Sequence, residues 1–146
     1  MKKIENFCNA LSVLRKADFD KASDDEIYRT GIIGQFNLTF ELAWKALQAV
    51  MQSHSVQGAE SGSPREIIKL GYKISFVQQE EEWLLMLKKR NLSVHIYDEE
   101  EIDEMIELIR DVFISAFEVL ADCLQKKADE VEMGMKADFD RTKKHE

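Results

Sequence analysis

The segment from Arg90 to Tyr97 (Arg-Asn-Leu-Ser-Val-His-Ile-Tyr) holds the residue types that could do chemistry. The Arg90 guanidinium is a fixed cation whose planar fork suits a phosphate. The His95 imidazole belongs to the one side-chain class that gives and takes protons near neutral pH. Together they could cleave a phosphodiester without a metal. One group would move the proton of a ribose 2′-hydroxyl or of the leaving oxygen, and the other would neutralise charge developing on phosphorus.

The spacing of this pair constrains how its members could meet. Five residues turn a regular helix through about 500°, which leaves the two side chains roughly 140° apart. Convergence therefore needs a bend, which Asn91 and Ser93 could supply, or a site shared by two chains. The alternative is a surface arginine and a half-buried histidine. Tyr97 is either a packed ring with an exposed hydroxyl or an accessible nucleophile and modification site.

Basic residues are concentrated just before this segment. Lys88-Lys89-Arg90 stands out in a chain with a net charge of −8, and Asp98 to Asp111 contains eight acids and one arginine. The cluster is either a solvated helix end, where cations suit the dipole, or a contact for a partner or substrate. Trp83 is expected in the core, but it is also a candidate for the same contact. The net charge argues against bulk electrostatic binding of nucleic acid, so no DNA partner is expected.

Composition narrows the class of protein. The 146 residues fit one domain, and the scarcity of Gly (6) and Pro (1) favours an all-α fold. There is no apolar run of the roughly 20 residues that a membrane span needs. Cys8 and Cys123 suggest no disulfide framework, so a cytoplasmic protein is expected. The three histidines are isolated and no phosphate-binding loop motif occurs, so neither a metal site nor a cofactor is expected.

Helical spacing of apolar residues predicts the elements that position the candidate site. A first helix carries Ile4 to Leu14, and a long second helix over about 25–53 is apolar on two faces, as in a central or dimer-forming helix. Residues 18–24 resemble a turn, from which Ser23 or Asp24 could cap the second helix. Ser63-Pro64-Arg65-Glu66 forms a capping box for a short helix that ends near Gly71.

Two further helices complete the prediction. One ends around Arg90–Asn91, and a last long helix begins at the acidic run that starts with Asp98. The fold predicted is an all-α, up-and-down antiparallel four-helix bundle with one extra short helix over residues 1–125. Residues 126–146 are expected to form a polar, fraying tail. The pentapeptide Lys-Ala-Asp-Phe-Asp recurs at 16–20 and 136–140 without a physical explanation.

Three blocks in this order carry a resemblance: Phe40-Glu41-Leu42-Ala43-Trp44-Lys45, Ser63-Pro64-Arg65-Glu66, and the run from Trp83 to Tyr97. The chain resembles the nucleotidyltransferase substrate-binding proteins of the HEPN superfamily. The third block is similar to the Arg-x4-His-x-Tyr motif of HepT toxins. The resemblance covers roughly residues 1–125. It implies a helical bundle that forms a homodimer and works with a small nucleotidyltransferase.

The resemblance implies two alternative functions. In the toxin branch, Arg90 and His95 of both protomers would form a metal-independent ribonuclease site with Asn91 in support, and the partner would silence it by adding AMP to Tyr97. In the substrate-binding branch, the chain would be a non-catalytic or regulatory subunit that holds an acceptor for the nucleotidyltransferase. Lys88, Lys89 and Trp83 are the candidate contacts for partner or substrate. The sequence leaves open whether the chain is an enzyme.

Overall fold

The computed structural model describes the backbone of residues 1–93 and 98–144 and the side chains of residues 1–90 and 98–135. His95 and Tyr97 therefore lie outside the described residues, as does the side chain of Asn91. The helices are α1 (Lys2–Arg15), α2 (Phe19–Asp24), α3 (Glu26–Ser53), α4 (Pro64–Lys73), α5 (Glu80–Ser93), α6 (Glu99–Leu108) and α7 (Ile114–Lys144), and a π-helical turn (Ile109–Phe113) joins the last two. No strand occurs in the described ranges, and the predicted all-α bundle is confirmed.

Side-chain caps begin several helices where the sequence predicted them. The Ser63 hydroxyl accepts a hydrogen bond from the Glu66 backbone N–H at 3.2 Å, which forms the predicted capping box of α4. Asp98 accepts one from the Glu100 N–H at 2.9 Å at the start of α6. The cap of α3 is Asp25, one residue after the predicted pair. These bonds satisfy backbone donors that a helix start leaves without partners.

The prediction of a turn over residues 18–24 is wrong, because most of this segment is the short helix α2. The Asp18 carboxylate accepts from the backbone N–H groups of Asp20 and Lys21, each at 3.1 Å. Its own N–H donates to the Tyr28 hydroxyl at 2.8 Å, which ties α2 to α3. Ala22 is buried against the core. Turn-forming residues therefore act here as a helix cap, and tertiary contacts stabilise the short helix that follows.

Aromatic side chains form the centre of the bundle, around α3. The Phe36 ring stacks on Phe113 with 5.2 Å between centroids. Trp83 of α5 lies edge-on to Phe117 at 5.5 Å and contacts Phe40 of α3 at 6.1 Å. All five side chains are essentially inaccessible to solvent. Because Trp83 joins α5 to both α3 and α7, it fixes the helix that carries the candidate site.

The second apolar face of α3 is only partly covered within one chain, so of the two predicted alternatives, a central helix and a dimer-forming helix, the single chain does not bury both faces. Ala46 is fully buried, but the side chain of Leu38 is 49% exposed. Ile27 is 85% exposed, and apart from the adjacent backbone of α3 itself no atom lies within 4 Å of the position where a Cβ on Gly31 or Gly34 would stand. A face of α3 that carries apolar and small residues is therefore open to solvent in the single chain.

Helix α7 runs from Ile114 to Lys144, so its backbone is helical beyond residue 126, from which the sequence predicted a polar tail. His54 Nε2 lies 2.7 Å from the Lys127 carbonyl oxygen, and Ala128 is buried. Packing against the bundle thus continues beyond Lys126, while Met133 and Met135 are exposed. None of the described helices combines the length and the apolar character that crossing a membrane requires.

Candidate functional site

Arg90 lies in the last turns of α5 and is held against α3. Its Nη2 donates to Glu41 Oε2 at 2.8 Å, and its Cζ lies 5.9 Å from the centroid of the Phe40 ring. Lys45 Nζ lies 3.4 Å from the other carboxylate oxygen of Glu41, one turn further along α3. The Arg90 and Glu41 side chains are 34% and 30% exposed, so the pair is partly shielded from water. Glu41 and Phe40 thus fix the direction of the Arg90 guanidinium.

Sequence reasoning missed Glu41 as a member of this site. The residue belongs to the Phe40–Lys45 block, but its partner Arg90 follows 49 residues later in the chain. An acid four residues before a lysine is typical of a pair within one helix, which gives no indication of a partner on another helix. The signal that could have found it is the position of Glu41 directly after Phe40, a residue of the α3 face that was predicted to be buried.

Two ion pairs connect the middle of α6 to α5 and to α3. Lys89 Nζ lies 3.1 Å from Glu104 Oε1, and Arg29 Nη1 lies 3.2 Å from Asp103 Oδ1. The Lys89 side chain is only 19% exposed. Lys89 therefore joins α5 to α6 in this structure and does not face the same partner as Arg90. The pairs hold α6 against its two neighbouring helices, and the motif histidine and tyrosine fall between α5 and α6 in the sequence.

Of the other two residues predicted to contact a partner or substrate, one lies at the surface and one in the core. Lys88 lies beside Arg90 on the wall of a groove. Trp83 is 1% exposed and surrounded by aromatic rings. Its prediction as a contact for partner or substrate is wrong, because a side chain so deeply packed has no surface to offer. Its prediction as a core residue is confirmed.

The groove beside Arg90 runs between the start of α4 and the second half of α5. Its volume is about 360 Å³, and its lining consists of Ser63, Pro64, Arg65, Leu84, Leu87, Lys88 and Arg90. Three of these seven residues are cations and none is an acid. The capping box fixes the start of α4, and with it Ser63 and Arg65, on one side of the groove. The burial of Trp83 fixes α5, which forms the other side. The arrangement can bind an anion that also has an apolar part.

A larger groove of about 580 Å³ lies between the end of α1 and the start of α3. Val13, Ile27, Tyr28 and Gly31 are among its lining residues, and it contains none of the residues that the sequence predicted for a site. Its apolar character suits contact with another helix better than polar chemistry. Among the described residues, no three His, Cys, Asp or Glu side chains are grouped so that they could hold a metal ion.

The two cysteines lie away from the Arg90 groove and are half-buried. Burial raises the pKa of both the Cys8 and the Cys123 thiol, and nearby basic side chains (Arg15 and Lys127, respectively) offset part of that rise. The thiol form therefore predominates at neutral pH, so neither residue is an activated nucleophile.

Comparison with known proteins identifies relatives of this bundle. Residues 2–126 match the family model described as "Nucleotidyltransferase substrate binding protein like". A crystal structure of a Thermus thermophilus protein is similar with 27% identity and a TM-score of 0.70, over 81% of this chain and 98% of that one.

A second similar structure is that of a Haemophilus influenzae protein, reported to reveal the fold of a substrate binding domain of a nucleotidyltransferase. It shares 17% identity with a TM-score of 0.71, over 84% of this chain and 98% of that one, which shows a common fold. No curated protein matches significantly. Because the family model spans residues 2–126, which is most of the chain, this protein belongs to the family described as "Nucleotidyltransferase substrate binding protein like".

Proposed function

We propose that this chain is a substrate-binding subunit that acts together with a separate nucleotidyltransferase. The observation that carries the proposal is the groove beside Arg90, whose lining has three cations and no acid in a chain of net charge −8. The subunit would hold the acceptor in this groove, and the partner would supply the nucleotide and its chemistry. Family membership supports the pairing with a nucleotidyltransferase.

The test is complex formation with the partner. A minimal nucleotidyltransferase encoded by a neighbouring reading frame is co-expressed with this chain, and the two are purified through a tag on one of them. We expect a complex of defined stoichiometry on size-exclusion chromatography at micromolar concentration, together with no RNA cleavage by this chain alone. Separate elution of the two proteins at that concentration would refute the proposal.

A second candidate function is a metal-independent ribonuclease that the nucleotidyltransferase silences. The observation that favours it is the position of Arg90, held on the wall of a cationic groove five residues before His95. The Arg90 guanidinium bonds to the Glu41 carboxylate through Nη2 and carries five N–H donors in all, and such a cation at a reacting phosphate would neutralise the charge that develops on it. His95 would move the proton, and Asn91 would support the pair.

In this second candidate, Tyr97 would accept AMP from ATP. Its hydroxyl oxygen would form a bond to the α-phosphorus, the bond to the bridging oxygen of pyrophosphate would break, and the phenol proton would pass to a base. The intact mass of the chain after co-expression with the partner tests this step. A mass gain of one or more AMP groups that disappears in Tyr97→Phe would support the toxin branch. His95→Ala should then abolish RNA cleavage by the unmodified chain; unchanged cleavage would remove His95 from the mechanism.

We also propose that the chain forms a homodimer through the open face of α3. Leu38 and Ile27 are exposed apolar residues on this face, and Gly31 and Gly34 would allow a second helix to approach closely. A twofold pair would cover this surface in each copy with the same surface of the other.

A further inference from the structure

We propose that the groove between α4 and α5 binds a nucleoside phosphate, with the phosphate at Arg65, Lys88 and Arg90 and the nucleoside against Leu84 and Leu87. This inference rests on the proposed function, because it names the chemical class of the acceptor that the groove would hold. Free nucleotides and the end of an RNA strand present the same chemistry, and the experiment below distinguishes them.

The charges of the groove are the first argument for a phosphate ligand. Arg65 and Lys88 line it, and among the described side chains neither takes part in an ion pair. Arg90 lines the groove as well; Glu41, which is not part of the lining, pairs with both Arg90 and Lys45, so these three side chains together keep one positive charge. The chain has eight more acidic than basic residues, from 28 acidic and 20 basic. Cations that are collected in one concave surface without acids focus a positive potential, which raises the local concentration of a multivalent anion.

The nearest acid of α4 does not cancel this potential inside the groove. Glu66 Oε1 lies 3.1 Å from the Ser63 hydroxyl and 3.4 Å from the Ser63 backbone nitrogen. The carboxylate is therefore engaged in capping the helix, and it does not contribute to the lining. Arg65, its neighbour in the first turn of α4, is left for a ligand.

The apolar part of the lining is the argument for a nucleoside attached to that phosphate. Leu84, Leu87 and Pro64 lie between the cations, and the two leucines are half-buried. Inorganic phosphate would gain nothing from them, whereas a ribose or a base would bury apolar surface against them. Arginine also stacks on planar rings, and a volume of about 360 Å³ is in the range of small-molecule sites. The combination favours a nucleoside phosphate over a simple anion.

The experiment measures binding to the full-length chain by isothermal titration calorimetry, with AMP, ATP and inorganic phosphate as probes. The double variant Arg65→Gln with Lys88→Gln should weaken ATP binding by about tenfold or more, because two charge-assisted contacts are lost. The matched control is Lys69→Gln, an exposed lysine of α4 outside the groove lining, which should stay within about twofold of the wild type. Leu87→Ala should weaken AMP binding and leave the binding of inorganic phosphate unchanged. Circular dichroism of each variant checks that the bundle is intact.

A competition assay then identifies the source of the phosphate. If a short single-stranded oligoribonucleotide displaces ATP at lower concentration than AMP does, the natural ligand is an RNA strand; the reverse order indicates a free nucleotide. Either order supports the proposal. Inorganic phosphate binding as tightly as AMP, an equal loss in Lys69→Gln, or no nucleotide binding at millimolar concentration would overturn it. Absence of nucleotide binding in a chain that still forms the nucleotidyltransferase complex would reject this inference alone, whereas nucleotide binding without a complex would reject the proposed function.

Discussion

Replacing Gly71 by alanine tests how closely α4, the helix that carries Arg65, is packed on α3. A Cβ at this position would lie 2.9 Å from Val77 Cγ2 and 3.1 and 3.3 Å from the two terminal carbons of Leu47. Carbon atoms prefer a separation of about 3.5–4.0 Å. Val77 and Leu47 are buried, and the Val77 backbone N–H donates to the Gly71 carbonyl at 3.1 Å, so neither neighbour can easily move away.

Two opposing effects determine how much Gly71→Ala changes the free energy of unfolding. Crowding in a packed core costs about 1–3 kcal/mol of unfolding free energy, while alanine is favoured over glycine inside a helix by about 0.5–1 kcal/mol. We therefore expect Gly71→Ala to be destabilised by about 1 kcal/mol. The matched control is Gly134→Ala in α7, away from the proposed dimer face, where no atom other than those of the neighbouring helix backbone lies within 4 Å of the new Cβ. The free energy of unfolding of this control should rise by about 0.5–1 kcal/mol, because only the helix propensity changes.

The assay is urea denaturation followed by circular dichroism, with both variants at the same protein concentration because unfolding of an oligomer depends on concentration. The difference between the two variants cancels the shared propensity effect and leaves the packing cost of about 1–3 kcal/mol. If the two variants have the same stability within about 0.5 kcal/mol, or if Gly71→Ala is the more stable, α4 does not lie against Leu47 as described. The geometry of the Arg65 groove would then be wrong as well.

Three further predictions concern the ion pair, the dimer and the thiols. A double-mutant cycle with Glu41→Gln and Arg90→Gln should give a coupling free energy of about 1 kcal/mol by urea denaturation, since the pair is partly exposed; a value near zero would remove Glu41 as the residue that positions Arg90. Leu38→Glu should convert a dimer to a monomer in light scattering after size-exclusion chromatography, because it places a charge on the open α3 face; an unchanged mass would contradict that interface. Burial raises the pKa of the Cys8 and Cys123 thiols, so a disulfide reagent at about pH 8 should react more slowly with the folded chain than with the urea-unfolded chain, and equal rates would contradict their burial. The thiol pKa is higher in the folded than in the unfolded chain. The contribution of the buried, neutral thiols to the free energy of unfolding is therefore complete below the unfolded pKa and is lost as pH rises through the folded pKa.

The positions of the helices could largely be read from the sequence, because the signals that fix them are local. A side chain caps a backbone N–H two or three residues away, as Ser63 and Asp98 do. The apolar stripe from Ile4 to Leu14 repeats within one helix, and its members are buried as predicted. The segment 18–24 was misread because Asp residues serve turns and helix caps alike, and contact with Tyr28 decides between them.

The amino-acid sequence by itself determined an all-helical bundle, the places where most of its helices begin and the family to which the chain belongs. Only the tertiary structure decided which polar residues meet: Arg90 with Glu41 across 49 residues, and Lys89 with Glu104 across 15. It also placed Trp83 in the core and brought Arg65 beside Lys88. The physical reason is that helix signals depend on neighbours along the chain, whereas a charged site depends on the distances and rotations between packed helices, which no local pattern encodes.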